Sequence, residues 1–460
     1  MAERSDIVIV SNRLPVHEVK EDGETRWETS PGGLVSALTP ILRQRPSTWI
    51  GWTGAAGDAP DPFEHDGIRN RPVALSASEI KAFYEGFSNR TLWPLYHDCV
   101  RPPEYRRRWW WPYVDVNRRF ADAAAEVVGE GGLVWVHDYH LQLVPAMLRE
   151  KRPDIRIGFF LHIPFPPQEL FAQIPWRRQI LEGLLGADVV GFQTRVGAQN
   201  FALLARRFLE VSGGRDALRY KDRVIRADDY PISIDTEKFE SLAGSDTVRR
   251  RMQRFRSRLG DERKVILGVD RMDYTKGIDI RLRAYQELLR SKQATLDDCV
   301  FVQVAVPSRE RVVEYRELKA SVEQLIGQIN GEFGELGRTP IHYLHRSMPP
   351  EQLVALYLAA EVMLVTPLRD GMNLVAKEYC ATRLDDTGSL ILSEFTGSAH
   401  ELASALLVNP HDIDGLQSVL HRALKLPVDE QRRRMRSMRR SVQRNDVYRW
   451  ANSFLEALEA

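Results

Sequence analysis

Short apolar runs rich in β-branched residues recur along the chain, and between them apolar positions fall at helical spacing. The runs cover residues 7–10, 49–52, 133–136, 157–161, 189–192, 265–269, 300–304, 362–365 and 390–392. Strand-length runs alternating with helices predict an α/β fold built on parallel sheet. The longest break is the polar stretch 216–251, and a boundary near residue 236 gives two doubly wound halves, 1–236 and 237–445. Residues 446–460 form a terminal helix with Trp450 and Phe454 that is expected to cross back onto the first half. Doubly wound folds bind ligands beyond the carboxyl ends of their strands, so the expected site is the cleft between the halves.

One stretch organises the rest, Thr366-Pro-Leu-Arg-Asp-Gly-Met-Asn-Leu-Val-Ala-Lys-Glu-Tyr379. It ends a strand, turns on Asp370 and Gly371, and opens a helix near Asn373. The first turn of a helix has unpaired N–H groups and a partial positive charge, so a pyrophosphate can sit there. Asp370 and Glu378 can each accept hydrogen bonds from sugar or ribose hydroxyls. The plainer alternative is an ordinary strand-to-helix connection in which Asp370 is the helix cap.

Other predicted strand ends also carry polar groups. Arg13 closes the first strand, where it is either a ligand group or a structural ion-pair partner. Gly32 and Gly33 precede a helix and would let a phosphate or sugar approach the backbone. Between Phe83 and Trp111 the aromatic density is high, which fits a sugar pocket or packing beneath a long loop. His137-Asp-Tyr-His140 lacks a third ligand at metal spacing, and His162 closes another strand before a run of prolines. Arg271 and Lys276 share the loop after the first strand of the second half, and Arg309 lies at the next strand end. Asp412-Ile-Asp-Gly415 suits a helix cap better than a metal motif. Met435 and Met438 of the basic run 431–440, with Val442 just beyond it, fall on one face of a surface helix.

Composition narrows the function. The chain has 460 residues, enough for two or three domains, and a formal charge of +1, so no global field recruits nucleic acid or an anionic membrane. The N-terminus lacks a signal-peptide core, and no apolar run reaches membrane-spanning length, which predicts a cytoplasmic protein. Cys99, Cys299 and Cys380 are odd in number and widely spaced, arguing against a disulfide scaffold and a zinc site. There is no G-x-G-x-x-G and no G-x-x-x-x-G-K-[ST], so neither a nicotinamide dehydrogenase nor a P-loop nucleotidase is supported. A homo-oligomer is compatible with this composition.

Taken in order, the Tyr84-Glu-Gly-Phe-Ser-Asn-x-x-Leu-Trp-Pro94, His137-Asp-Tyr-His140, Phe159-Phe-Leu-His-Ile-Pro-Phe165, Asp273-Tyr-Thr-Lys-Gly277 and 366–379 segments resemble the trehalose-6-phosphate synthase family of glycosyltransferases. The resemblance spans essentially the whole chain. It implies a GT-B fold of two Rossmann-like domains, the first for the acceptor and the second for the nucleotide sugar. The implied reaction moves glucose from a nucleoside diphosphate glucose (UDP-, GDP- or ADP-glucose) to glucose 6-phosphate with retention, by front-face displacement and without a metal or other cofactor. By the same resemblance Arg13, Tyr84, Trp93 and Arg309 would hold the acceptor phosphate, with Trp52 nearby and Asp138 on the acceptor sugar. Gly32, Gly33, Arg271, Lys276, Asp370, Leu374, Val375 and Glu378 would hold the donor, His162 the transferred glucose, and the segment ending at Met348 the nucleotide base. Arg271, Lys276, His162 and Asp138 would be the catalytic set. A pseudo-glycosyltransferase coupling cyclitols and a non-catalytic sugar-phosphate sensor are the alternatives. The residues carry no side-chain code for the donor base.

Overall fold

The computed structural model describes residues 4–21, 24–30, 33–43, 45–309 and 312–460. The chain divides into two compact units, Met1–Ile232 with Tyr448–Ala460, and Ser233–Val447.

The strands of the first unit are β1 (Ser5–Arg13), β2 (Val16–Glu21), β3 (Glu24–Thr29), β4 (Ser47–Trp52), β5 (Phe63–His65), β6 (Ile68–Pro72), β7 (Val128–His137), β8 (Arg156–Phe160), β9 (Val189–Phe192), β10 (Leu218–Tyr220) and β11 (Arg223–Asp229). β2 and β3 form a separate hairpin. The others make, among the described residues, a nine-stranded sheet ordered β10-β11-β9-β8-β7-β1-β4-β6-β5. Only its outermost strands, β5 and β10, pair antiparallel. Strand addition runs outward from β1 through β4 to β6, then reverses and continues from β7 on the other side.

In the second unit, β12 (Lys264–Arg271), β13 (Cys299–Val306), β14 (Ile341–Leu344), β15 (Val362–Val365), β16 (Ser389–Ser393) and β17 (Leu406–Val408) form a sheet ordered β14-β13-β12-β15-β16-β17. Every pairing in it is parallel, and the order is that of a Rossmann fold, reversing between β12 and β15. Strands covered on both faces read as continuous apolar runs, as β4, β15 and β16 do, each buried along its whole length.

The polar stretch 216–251 holds β10, β11, the helix Thr236–Gly244 and the first turns of the helix Asp246–Leu259, the helices capped by Asp235 and Ser245. The helix Asp246–Leu259 exposes most of its length, which hid its apolar spacing. The aromatic segment does not lie beneath a loop. A capping box between Ser76 and Glu79 starts a helix whose turns widen to π geometry over Ile80–Leu92. The helix Arg107–Val127 packs on it, so closely at one point that a Cβ on Gly86 would lie 2.7 Å from the Trp109 ring.

Asp412 is a cap: its Oδ1 accepts from the Gly415 N–H at 2.9 Å. Met435, Met438 and Val442 are the buried face of the helix Val428–Arg444. Within the first unit, Trp450 and Phe454 of the helix Val447–Glu459 lie 5.2 and 4.3 Å from the Trp135 ring of β7. Phe454 fits because β8 and β9 carry Gly158 and Gly191 beneath it, where a Cβ would come within 2.6 and 2.7 Å of its ring. Among the described residues no helix is long and apolar enough to cross a membrane.

Candidate active site

At the reversal point of the first sheet, the carboxyl ends of β1 and β7 deliver Arg13 and His137-Asp138 to one cavity of about 460 Å³. Its wall also includes Leu34, Val35, His140 and His162. The Arg13 guanidinium lies 4.2 Å from the Trp52 ring centroid and 6.0 Å from that of Tyr84, within cation–π range of both. It fills the space over Gly54, where φ is +104° and a Cβ would fall 1.6 Å from Nη1, so only glycine is tolerated there. Burial draws the Arg13 pKa down, and the hydrogen-bonded Tyr84 opposes it.

Tyr84 comes from the π-helical segment and is held between rings, edge-on to Trp52 at 5.7 Å and stacked on His140 at 5.7 Å. His140 lies 3.9 Å from Tyr139, and Tyr139 lies 5.6 Å from Trp93, so Trp93 joins the same aromatic row. π segments are rare and gather at functional sites. Here one presents Tyr84.

Asp138 adopts φ 75°, unusual for a residue with a Cβ, directly after β7. Its N–H donates to the Phe160 carbonyl at 2.8 Å, while Oδ1 accepts from the His162 N–H at 3.2 Å. His137 Nδ1 and His162 Nε2 are 3.1 Å apart. His137 is fully buried and His162 half-buried, and both line the cavity. Burial pushes the His162 pKa down to about 3 and His137 well below its ordinary value, so both rings are neutral at physiological pH. Among the described residues no three His, Cys, Asp or Glu side chains converge as a metal site.

The second unit repeats the logic at its own reversal point. The loops after β12 and β15 bring Lys276 Nζ to 2.6 Å from Asp370 Oδ2, with the two side chains 9% and 14% exposed. The helix cap is Asn373, not Asp370. Asn373, at φ 72°, accepts from the Ala376 N–H at 3.2 Å and donates through Nδ2 to Asp370 Oδ2 at 3.1 Å. Leu374 and Val375 are the first two residues of the helix Leu374–Thr382. Glu378 accepts from the Tyr357 hydroxyl at 2.8 Å, and burial raises its carboxyl pKa against that bond. The Asp370 turn is braced from Phe395, Gly397 and Ser398: Asp370 N–H donates to Phe395 O at 3.2 Å, and Ser398 N–H donates to Met372 O at 2.9 Å.

Of the remaining expected residues, Arg271 is exposed at the end of β12 and Met348 is half-buried after β14. Gly33 opens the helix Gly33–Leu42, and Gly32 lies outside the described residues. Arg309, at φ 48°, turns inward, its side chain 6% exposed and its Nη1 3.5 Å from Asp273 Oδ2.

Several contributors escaped the sequence reading. Arg281 is fully buried beneath the Lys276 loop, donating to Asp270 Oδ2 at 2.5 Å, to the Leu364 carbonyl at 3.1 Å and to the Lys276 carbonyl at 2.6 Å. A charge on the apolar stripe of Ile278, Leu282, Tyr285 and Leu289 was the available signal. Asp273 heads one of the matching segments but was given no role of its own, and Gly54 was not singled out.

The profile of glycosyltransferase family 20 matches residues 5–460. The chain belongs to glycosyltransferase family 20. Within that family it is 54% identical over 466 residues to a trehalose-6-phosphate synthase of Mycolicibacterium smegmatis, covering 99% of this chain and 93% of that one. A crystal structure of a UDP-forming α,α-trehalose-phosphate synthase from Burkholderia xenovorans in complex with glucose-6-phosphate is 35% identical with TM-score 0.90, covering 99% of this chain and 100% of that one. An E. coli structure described as bound with UDP-2-fluoro glucose is 33% identical with TM-score 0.91, covering 98% of each chain. The family 20 fold is GT-B, with two Rossmann-like units, and the chain is a glycosyltransferase.

Proposed function

We propose that the chain is an α,α-trehalose-6-phosphate synthase, transferring glucose from a nucleoside diphosphate glucose to glucose 6-phosphate with retention at the anomeric carbon. The observation that carries this reading is the 2.6 Å contact of Lys276 with Asp370 beside a helix N-terminus at the reversal point of the second sheet. A cation, a hydroxyl acceptor and unpaired N–H groups are what a sugar diphosphate requires. Arg271, Lys276 and the amides of Leu374 and Val375 take the diphosphate, Asp370 and Glu378 take hydroxyls, and the segment ending at Met348 meets the base. In the first unit Arg13, Tyr84 and Trp93 take the acceptor phosphate, with Trp52 behind Arg13, Asp138 on the acceptor hydroxyls and His162 on the transferred glucose. Arg309 is assigned to the same phosphate. Gly33, and Gly32 before it, serve the donor through backbone.

The reaction is a front-face displacement through an oxocarbenium-like state, with the cations stabilising the departing diphosphate and no metal required. UDP-glucose is the favoured donor, because solved relatives are described as UDP-forming or bound to a UDP-sugar analogue. A cyclitol-coupling relative or a sensor would have lost part of these sets, and Arg13, Trp52, Tyr84, Trp93, Asp138, Arg271, Lys276, Asp370 and Glu378 all stand. The test is product formation from glucose 6-phosphate with UDP-, GDP- and ADP-glucose in turn. Trehalose 6-phosphate with an α,α linkage is expected, fastest from UDP-glucose, and no disaccharide from any donor would refute the reading.

A further inference from the structure

Three cations serve the proposed reaction in the second unit, Arg271, Lys276 and Arg309, and like charges gathered at one sheet edge repel. Asp370 pairs with Lys276, and the anion that faces all three cations is Asp273. Its side chain is fully buried, and its two oxygens face different partners. Oδ1 accepts from both the N–H and the hydroxyl of Thr275, each at 3.0 Å, inside the turn that ends in Lys276. Oδ2 faces the Tyr315 hydroxyl at 3.3 Å and Arg309 Nη1 at 3.5 Å. Arg309 Nη1 also donates to the Tyr315 hydroxyl, and its guanidinium lies 5.4 Å from that ring centroid.

Burial alone would raise the Asp273 pKa, yet Arg309, Arg271 and Lys276 together hold it below its ordinary value, so the carboxylate is charged where it lies. Arg309 is on a left-handed backbone with little side-chain exposure, and a side chain so confined takes its direction from its anchors.

We infer that Asp273 is a positioning residue whose two oxygens serve the two substrates separately, Oδ1 ordering the turn that presents Lys276 to the donor and Oδ2, with Tyr315, orienting Arg309 for the acceptor phosphate. The inference rests on the proposed role of Arg309. It fixes the cost of confining two long cationic side chains in the protein before either substrate arrives, which is preorganisation.

Asp273→Asn separates the two halves of the claim. The amide oxygen still accepts from Thr275, while the NH2 group replaces Oδ2 and faces donors on Arg309 and Tyr315. KM for glucose 6-phosphate is expected to rise about tenfold or more, the scale of one charge-assisted hydrogen bond, with donor KM staying near the wild-type value. Tyr315→Phe, which keeps the packing, is expected to raise acceptor KM in the same direction and carries the test if Asp273→Asn does not fold. Placed on Arg309→Ala, Asp273→Asn is expected to add nothing to acceptor KM, whereas independent structural losses would multiply. Equal rises in both KM values, or a multiplicative double variant, would overturn the inference. If Arg309→Ala raises acceptor KM and neither Asp273→Asn nor Tyr315→Phe does, the inference alone fails. If Arg309→Ala leaves acceptor KM unchanged, the reading of Arg309 fails and takes the inference with it.

Discussion

Lys276→Ala should damage stability and turnover by separable routes. The lysine ammonium and the Asp370 carboxylate are 2.6 Å apart and at most 14% exposed. Removing one member of a buried pair leaves the other charge desolvated, at a cost of about 3–5 kcal/mol. The residual exposure and the Asn373 amide on the same oxygen place this case near about 3 kcal/mol. Turnover should fall by about 10²–10³, the usual loss of one preorganised donor to developing charge. Adding Asp370→Asn removes the stranded charge while keeping an acceptor for Asn373. The double variant should therefore regain most of the lost stability and none of the turnover. Urea unfolding reads the first quantity, and kcat at saturating donor and acceptor reads the second. Near wild-type kcat in Lys276→Ala would refute the leaving-group role. Turnover restored in the double variant would refute it differently, by showing that Lys276 only neutralises Asp370.

The neutral histidine pair makes stability depend on acid: with the His162 pKa lowered from its ordinary value to about 3, the unfolded chain binds the extra proton between those limits. That contribution is complete above about pH 6.5 and is lost as pH falls toward 3, so Tm should drop over this window, and His162→Gln should flatten the drop. Activity should survive EDTA; loss on chelation with recovery on adding magnesium or manganese would contradict metal independence. Phe454→Ala should cost about 3–5 kcal/mol, because the ring lies on Gly158 and Gly191 and stacks on Trp135, and an unchanged urea midpoint would show that the terminal helix contributes little.

What the sequence disclosed followed from burial. Each of the nine apolar runs lies largely within a strand, because parallel strands covered on both faces have no polar alternation to obscure them. Among the strands it missed are the short edge strands Phe63-Glu-His65 and Leu218-Arg-Tyr220, which carry exposed polar residues, and the interior β11, whose sequence Arg223-Val-Ile-Arg-Ala-Asp-Asp229 interleaves charged with apolar residues. Polar residues at Arg13, Asp138, Lys276 and Asp370 were legible, since a charged group at the end of an apolar run or in the loop just after it stands at the sheet edge. Their supports were not. Gly54 matters only because Arg13 folds over it, and the π geometry that presents Tyr84 has no signature in propensity. Arg281 and Asp273 are ionised residues inside a core, and only the assembled loop reveals what neutralises each.

The first-unit cavity also bears on where the acceptor proton goes under the proposed reaction. A histidine with a pKa near 3 is a poor base at neutral pH, and His137 is pushed in the same direction, so neither ring suits the role of proton acceptor. Retention by double displacement would instead call for two carboxyl groups about 5–5.5 Å apart, one as nucleophile and one as acid–base group. Among the described residues lining this cavity the single carboxylate is Asp138. One of its oxygens accepts the His162 N–H, and the other faces His140 at 3.9 Å. An aspartate held in this way, on a strained backbone, fits the proposed role of accepting hydroxyls better than that of attacking carbon. In the proposed front-face displacement the base is then the leaving diphosphate itself, which gains charge as its bond to the anomeric carbon breaks and departs on the face the acceptor approaches. Under that proposal the cations assigned to it, Arg271 and Lys276, have a balanced task, stabilising the diphosphate enough to leave while leaving it basic enough to take the proton.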